Sequence, residues 1–405
     1  MDLPSDAIVV RELESSPSVK LKSQTLREQN GSASSPANST RSLFVGKAHP
    51  SPPPIHTNYS VPNLSSLSPG YMSQVSRSME RLTLQPGRKD SGNLAHLTGH
   101  ITSVPQILLK NKKSLDEESK VLSVDWCFDS KHLVTSLQSG HLCIWDTMAK
   151  ERVQIIQTPC TWVFAVSYSP SQNFVAAGGL DSKCDLYKLP RGKQTTIESL
   201  HVAQHQSYVL DCSFTTSDHQ ILTASSDSTC ALWDVESAQM IREFKGHSSD
   251  VRSLDFQKST GYCFLSGSAD KQLGLWDMRT GNCVQSFLTH TDEVNQVRFF
   301  PNGEALASVS DDMTCRLFDL RMDVEIAIYK RNSVLFPACS LDFSLNGRLL
   351  FVGYSDHSFH VWDTLKSAHC GSMYSHENKV NCLKLSPDGS CLATGSWDQT
   401  VKLWS

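Results

Sequence analysis

Residues 221–234 read Ile221-Leu222-Thr223-Ala224-Ser225-Ser226-Asp227-Ser228-Thr229-Cys230-Ala231-Leu232-Trp233-Asp234. Two short apolar runs, Ile221–Ala224 and Cys230–Trp233, flank a polar turn around Asp227; each is the length of a strand and too short for a helix. Just upstream, Leu210, Cys212 and Phe214 alternate with Asp211 and Ser213, the period-two signature of a half-buried strand. Just downstream, Met240-Ile-Arg-Glu-Phe244 supplies a fourth strand. Four such strands joined by tight turns make one twisted sheet. The same unit recurs along the chain. Its closing aromatic falls at Trp145, Tyr187, Trp233, Trp276, Phe318, Trp362 and Trp404, in steps of 42, 46, 43, 42, 44 and 42 residues. That period, with Asp following the aromatic in most units, predicts an all-β fold: a seven-bladed WD-repeat β-propeller over residues 107–405.

The ends of the repeat region predict how the ring closes. The sequence ends at Ser405, just after the third strand of the seventh unit. The segment 107–113 precedes the first complete inner strand and is the expected donor of the missing fourth strand, which would remove an open sheet edge. Residues 1–106 have another composition, as in Asn30-Gly-Ser-Ala-Ser-Ser-Pro36 and Ser51-Pro-Pro-Pro-Ile55. Such sequence buries too little apolar area to offset about 1–2 kcal/mol of ordering entropy per residue. It is expected to be a disordered Ser/Pro-rich extension. Tyr71-Met72 and Met79-Glu-Arg-Leu82 are its apolar islands, either a short docking segment or incidental.

Composition excludes several functions. The formal charge of the 405-residue chain is −4, which offers no overall attraction to nucleic acid. No apolar run is long enough to span a bilayer, so no direct membrane insertion is expected. The 13 cysteines follow no disulfide framework, and Cys212, Cys230, Cys263 and Cys382, inside apolar strand segments, read as small buried thiols of a reducing compartment.

Polar residues recur with the aromatics. Asp227, Asp270, Asp312 and Asp398 stand six residues before the closing aromatic, with Ser225, Ser268, Ser310 and Ser396 two residues earlier. His205, His247, His290 and His376 lie further upstream. With Trp233, Trp276 and Trp404 they are expected to form one closed hydrogen-bond network per blade. Catalysis or metal binding needs such groups to converge, whereas a repeat distributes them around a ring. The expected catalytic set, metal set and cofactor are therefore none. The first unit has Ser139 in place of the Asp, and the sixth has Val334-Leu-Phe336 in place of the His. Those two blades are expected to rely on packing and to be softer.

Beyond the repeat, some stretches do not repeat. They include Thr158-Pro-Cys-Thr-Trp-Val163, Gly178-Gly-Leu-Asp-Ser-Lys-Cys184, Ser310-Asp-Asp-Met-Thr-Cys-Arg-Leu-Phe-Asp-Leu-Arg321 and Gly395-Ser-Trp-Asp398. Through these, residues 107–405 resemble the G-protein β subunit family, most closely its divergent class that pairs with regulators of G-protein signalling. The resemblance implies a non-catalytic scaffold in heterotrimeric G-protein signalling. Its implied partners are a γ subunit or the γ-like domain of a signalling regulator, a Gα subunit, and effectors. It also implies a cytoplasmic location, reaching the inner face of the plasma membrane through partners. The family's Gα-binding face maps onto Lys120, Trp162, Leu180, Tyr208, Asp250, Asn295, Asp311 and Trp397.

The sequence departs from the family at Leu122, Phe164, Arg252 and Glu293, where tyrosine, methionine, an apolar residue and aspartate are usual. Arg252 adds a positive charge expected to weaken or redirect Gα binding. The sequence before Ile107 also lacks the heptads with which the family coils around a γ partner. The alternative reading is a WD-repeat adaptor of another complex. A cut ahead of residue 107 should leave a compact, protease-resistant propeller, and deletion of the closing segment should not. Limited proteolysis of the two truncations distinguishes them; a protected ring without the segment would contradict closure.

Overall fold

In the third repeat, Val209–Phe214, Gln220–Ser225, Thr229–Asp234 and Gln239–Lys245 form one antiparallel four-stranded sheet in chain order. Most residues of the second and third strands are buried, because a neighbouring blade covers each face. The fourth strand is largely exposed, which is why the continuous apolar runs fall on the second and third strands. The computed structural model describes residues 109–190 and 198–405. The segment 1–106 expected to be disordered lies outside them. The described strands form seven such sheets, and no described helix is long and apolar enough to cross a membrane.

Six blades are built from consecutive strands. The seventh combines Val380–Leu385, Leu392–Ser396 and Thr400–Trp404 with Asn111–Asp116 from ahead of the first blade. Leu115 pairs with Val401 and Asp116 with Thr400, and Lys110 exchanges backbone bonds with Ser405. The closing strand therefore starts later than the expected 107–113, of which 107 and 108 lie outside the described residues. Its core residue is Leu115, which packs with Val401, Leu403, Trp126 and Trp145 across the join between the last and first blades. The ammonium of Lys113 adds a bond to the carbonyl of Met148 at 2.9 Å.

The inner strands start at Val121, Val163, Val209, Val251, Val294, Ala338 and Val380 and pack against one another round the ring, the last against the first. Side chains tie them together. Asp125 accepts the Tyr168 amide at 2.8 Å, Asp211 that of Leu254 at 2.7 Å, and Asp342 that of Leu385 at 2.8 Å. Each inner strand carries a register shift at its second residue. A bulge re-aims the side chain it carries. In the third blade Val209 thus fills the core and Leu210 lines the central channel, not the apolar face that simple alternation assigned to it.

The polar network differs in one member from the sequence expectation. His205 meets Asp227 at 3.0 Å and Thr223 Oγ1 at 2.6 Å, and Trp233 donates its indole N–H to the same hydroxyl at 2.8 Å. The hydroxyl joining His to Trp is Thr223, and correspondingly Ser266 and Thr394. In the fifth blade His290 bonds Asp312 and Ser308, but Phe318 has no N–H to contribute. Ser225, Ser268, Ser310 and Ser396 sit two residues further on and donate instead to loop carbonyls at 3.1–3.2 Å, bracing the entry to the inner strand. Burial alone would raise the Asp312 carboxyl. Hydrogen bonds from His290 and Thr314 outweigh it and hold the group well below the usual carboxylate range. Asp398 is held low in the same way by His376 and Thr400.

The first and sixth blades solve the problem differently. In the first, Glu117 takes the histidine's place, accepting from Thr135 at 2.5 Å and from the Trp145 indole at 2.7 Å. It stands 28 residues before Trp145, the offset of His205 from Trp233, so the signal was present in the sequence. In the sixth, Val334 and Val352 occupy the histidine and hydroxyl positions, and the buried Trp362 indole N–H lacks the hydroxyl acceptor that Thr223 gives Trp233 and has no well-formed hydrogen bond among the described residues.

Two substitutions test these networks. Val352→Thr is nearly isosteric and gives Trp362 an acceptor. It should raise stability by about 1 kcal/mol in urea unfolding, and a loss of the size normal for a buried Val→Thr change would contradict the account. Asp312→Ala should cost about 2–4 kcal/mol by unpairing a buried histidine. The native pKa of Asp312 is depressed, so its contribution is present above about pH 3.9 and lost as pH falls towards the native value. The variant's stability should therefore fall less steeply than the parent's below that pH.

Candidate partner-binding rim

The residue before each inner strand and the residue after each second strand are joined by one backbone bond. The amides of Gln138, Leu180, Ser226, Ala269, Asp311, Ser355 and Trp397 donate to the carbonyls of Lys120, Trp162, Tyr208, Asp250, Glu293, Pro337 and Lys379, at 2.9–3.1 Å. One pair per blade at equivalent positions puts all of them on one rim. Every candidate contact residue except Asn295 is a member of such a pair. Asn295 is the bulged second residue of its inner strand and sits just inside the rim. Its counterparts Leu122, Phe164, Leu210, Arg252, Cys339 and Asn381 join it in lining the central channel, whose volume is about 1020 Å³.

The rim is divided by chemistry. Blades two and three present an aromatic sector: Trp162 is 37% exposed, Leu180 37% and Tyr208 45%, with Phe164 5.9 Å from the Trp162 ring. Large apolar side chains this exposed leave part of their surface uncovered in the isolated ring. Blades four and five carry Asp250, Glu293 and Asp311. Blades seven and one carry Trp397 between two lysines, with Lys120 Nζ 4.5 Å and Lys379 Nζ 5.2 Å from its ring. Cation–π contacts between partly exposed groups such as these contribute about 0.5–1 kcal/mol each. They also fix the plane of the indole.

Sequence reading missed Lys379, although it precedes its inner strand as Trp162 and Tyr208 do. It also missed the internal commitments of the acidic sector. Arg252 donates to Asn295 Oδ1 at 2.8 Å and forms an ion pair with Glu293. Asn295 donates in turn to Asp311 at 2.6 Å and to the Ala338 carbonyl at 2.9 Å. The Asp250 carboxylate has no side-chain partner among the described residues.

One trio among the described residues, Cys127, Asp129 and His132, has metal-ligand chemistry at close range. Its geometry is that of a braced turn. Asp129 accepts the amides of Lys131 and His132 at 2.8 and 3.0 Å and the His132 ring at 2.6 Å. Asp388 and Asn346 brace equivalent turns with no such trio around them. Burial pushes the Cys127 thiol up to about 11, away from the thiolate that a metal requires.

The profile of the family described as "G protein beta WD-40 repeat protein" matches residues 71–405. Guanine nucleotide-binding protein subunit beta-5b of Danio rerio is 50% identical over 304 residues, covering 74% of this chain and 77% of the relative. Subunit beta-2 of Caenorhabditis elegans is 47% identical over 287 residues, covering 71% and 78%. Subunit beta of Nicotiana tabacum is 38% identical over 303 residues, covering 71% and 81%. The family match begins well ahead of residue 107, so the likeness reaches into the extension and takes in both of its apolar islands.

Proposed function

The chain belongs to the G protein β WD-40 repeat family, and from that premise we propose that its rim is the docking face for a Gα subunit or an effector. The propeller works as a non-catalytic scaffold for heterotrimeric G-protein signalling. The observation that carries the docking reading is the set of seven equivalent backbone pairs. They bring residues scattered from Lys120 to Trp397 to one end of the ring. Trp162 and Trp397 are the hydrophobic anchors, since buried aromatics dominate interface energies. Asp250 and Asp311 supply charge that steers and orients a partner. None of these residues fills the repeating Trp233-type position in a blade core, so none is required by the fold itself.

The stabilising partner is the γ-like domain of a signalling regulator or a γ subunit. The closeness to a subunit beta-5b favours the former. The scaffold acts in the cytoplasm and reaches the plasma membrane through these partners. The paired histidines His205, His247, His290 and His376 each belong to a different blade and do not converge, which supports a role without catalysis.

The full chain co-expressed with a γ-like domain should elute as a one-to-one complex on size exclusion, and a conventional γ subunit should give less complex. Within that complex Trp397→Ala and Trp162→Ala should each weaken binding of a GDP-bound Gα subunit by about 2–4 kcal/mol. They should leave the melting temperature nearly unchanged. A folded chain that binds neither γ type, and whose tryptophan variants bind as the parent does, would place it among adaptors of other complexes.

A further inference from the structure

At the described rim pairs the acidic sector holds the carboxylates of Asp250, Glu293 and Asp311, with the exposed Asp292 adjoining Glu293, and Arg252 is the cation set among them. The guanidinium spans two blades. It rises from the bulged second position of one inner strand and reaches the Glu293 carboxylate and the Asn295 amide oxygen of the next. Asn295 is thereby fully engaged: its oxygen accepts from Arg252, and its nitrogen donates to Asp311 and to the Ala338 carbonyl. The result is a continuous chain, Glu293–Arg252–Asn295–Asp311, that engages one oxygen of Glu293, the Asn295 amide and one oxygen of Asp311 before any partner arrives. Of the three rim-pair carboxylates, only Asp250 stands outside it.

We propose that Arg252 is a selectivity latch, which withholds the acidic sector from cationic side chains of a docking partner. The proposal rests on the docking reading above and deepens it. A lysine or arginine approaching blades four and five meets Glu293 already paired, Asn295 already committed and a guanidinium beside them. Of the three rim-pair carboxylates, it can pair freely only with Asp250. Two of the three negative charges remain uncompensated, so the sector still attracts cations, but it does so from a distance and holds them weakly on contact. Both members of the Arg252–Glu293 pair are partly exposed, so the latch is cheap to open. A partner able to displace Arg252 would gain Glu293 and Asn295 together. Selection therefore falls on the contact itself, by repulsion and by occupied acceptors.

The test is a double-mutant cycle on the full chain held in its γ-like-domain complex. It measures affinity for a GDP-bound Gα subunit at low and high salt. Arg252→Met should bind about tenfold tighter at low salt, with the gain shrinking as salt screens the released carboxylate. In the Glu293→Gln background the same Arg252→Met change should give little gain, because the acceptor it frees is no longer charged. An equal gain in both backgrounds would assign the effect to methionine packing and overturn the latch. Trp397→Ala separates the two levels of the claim. Parent binding lost in Trp397→Ala but unchanged in Arg252→Met overturns the latch alone; binding indifferent to Trp397 overturns the docking reading and the latch with it.

Discussion

A ring of sheets is only as stable as its last seam, and here that seam is the pairing of Asn111–Asp116 with Thr400–Trp404. Each blade buries its faces against two neighbours, so an open ring would expose apolar surface on two blades at once. The closing strand prevents this by bringing together segments nearly 300 residues apart, a long-range contact whose closure entropy must be met by burial. Leu115 supplies that burial, and Trp126 extends it by donating its indole N–H to the Lys384 carbonyl of the last blade at 3.0 Å. The rim chemistry depends on this seam directly. Lys120 belongs to the first blade and Trp397 to the last, and they stack only because the ring is shut.

Within the closed ring, the recurring bulge at the start of each inner strand converts a repetitive scaffold into a varied surface. The buried position before the bulge is Val in six blades and Ala in the other. The bulged position is Leu, Phe, Leu, Arg, Asn, Cys and Asn in blade order. Packing constrains the first set to small branched or short side chains that fit between blades. The second faces the channel mouth, where contacts with the next blade, such as Arg252 to Asn295 and Asn381 to the Leu122 carbonyl, are polar and tolerate varied side chains. Aromatic, acidic and lysine-flanked sectors can therefore follow one another round the rim without cost to the core.

Much of this was legible in the sequence, because a repeat prints its architecture once per unit. The blade count, the seven aromatic positions and the His–Asp pairs follow from spacing alone. The connecting hydroxyl was not legible. Thr223 and Ser225 lie on the same strand two residues apart and share a face, and only the pairing of strands shows which one meets Trp233. Glu117 was legible in principle, since it keeps the histidine's offset, but a search confined to histidine passes over it. The Arg252 chain depended on a subtler point. Equivalent positions of adjacent repeats, such as residues 252 and 295, become neighbours across a seam, so a departure in one blade is answered by residues one repeat away.

The central claim, that one rim of the ring is the docking face, is tested most directly by amide hydrogen exchange of the γ-like-domain complex with and without a GDP-bound Gα subunit. The account predicts added protection in the strand starts at 120–122, 162–164, 208–210, 250–252 and 293–295, and around Trp397. The loops at the opposite mouth, which carry the exposed Phe128 and Leu345, should exchange as before. Protection gathered at Phe128 and Leu345, with the tryptophan rim unchanged, would contradict it.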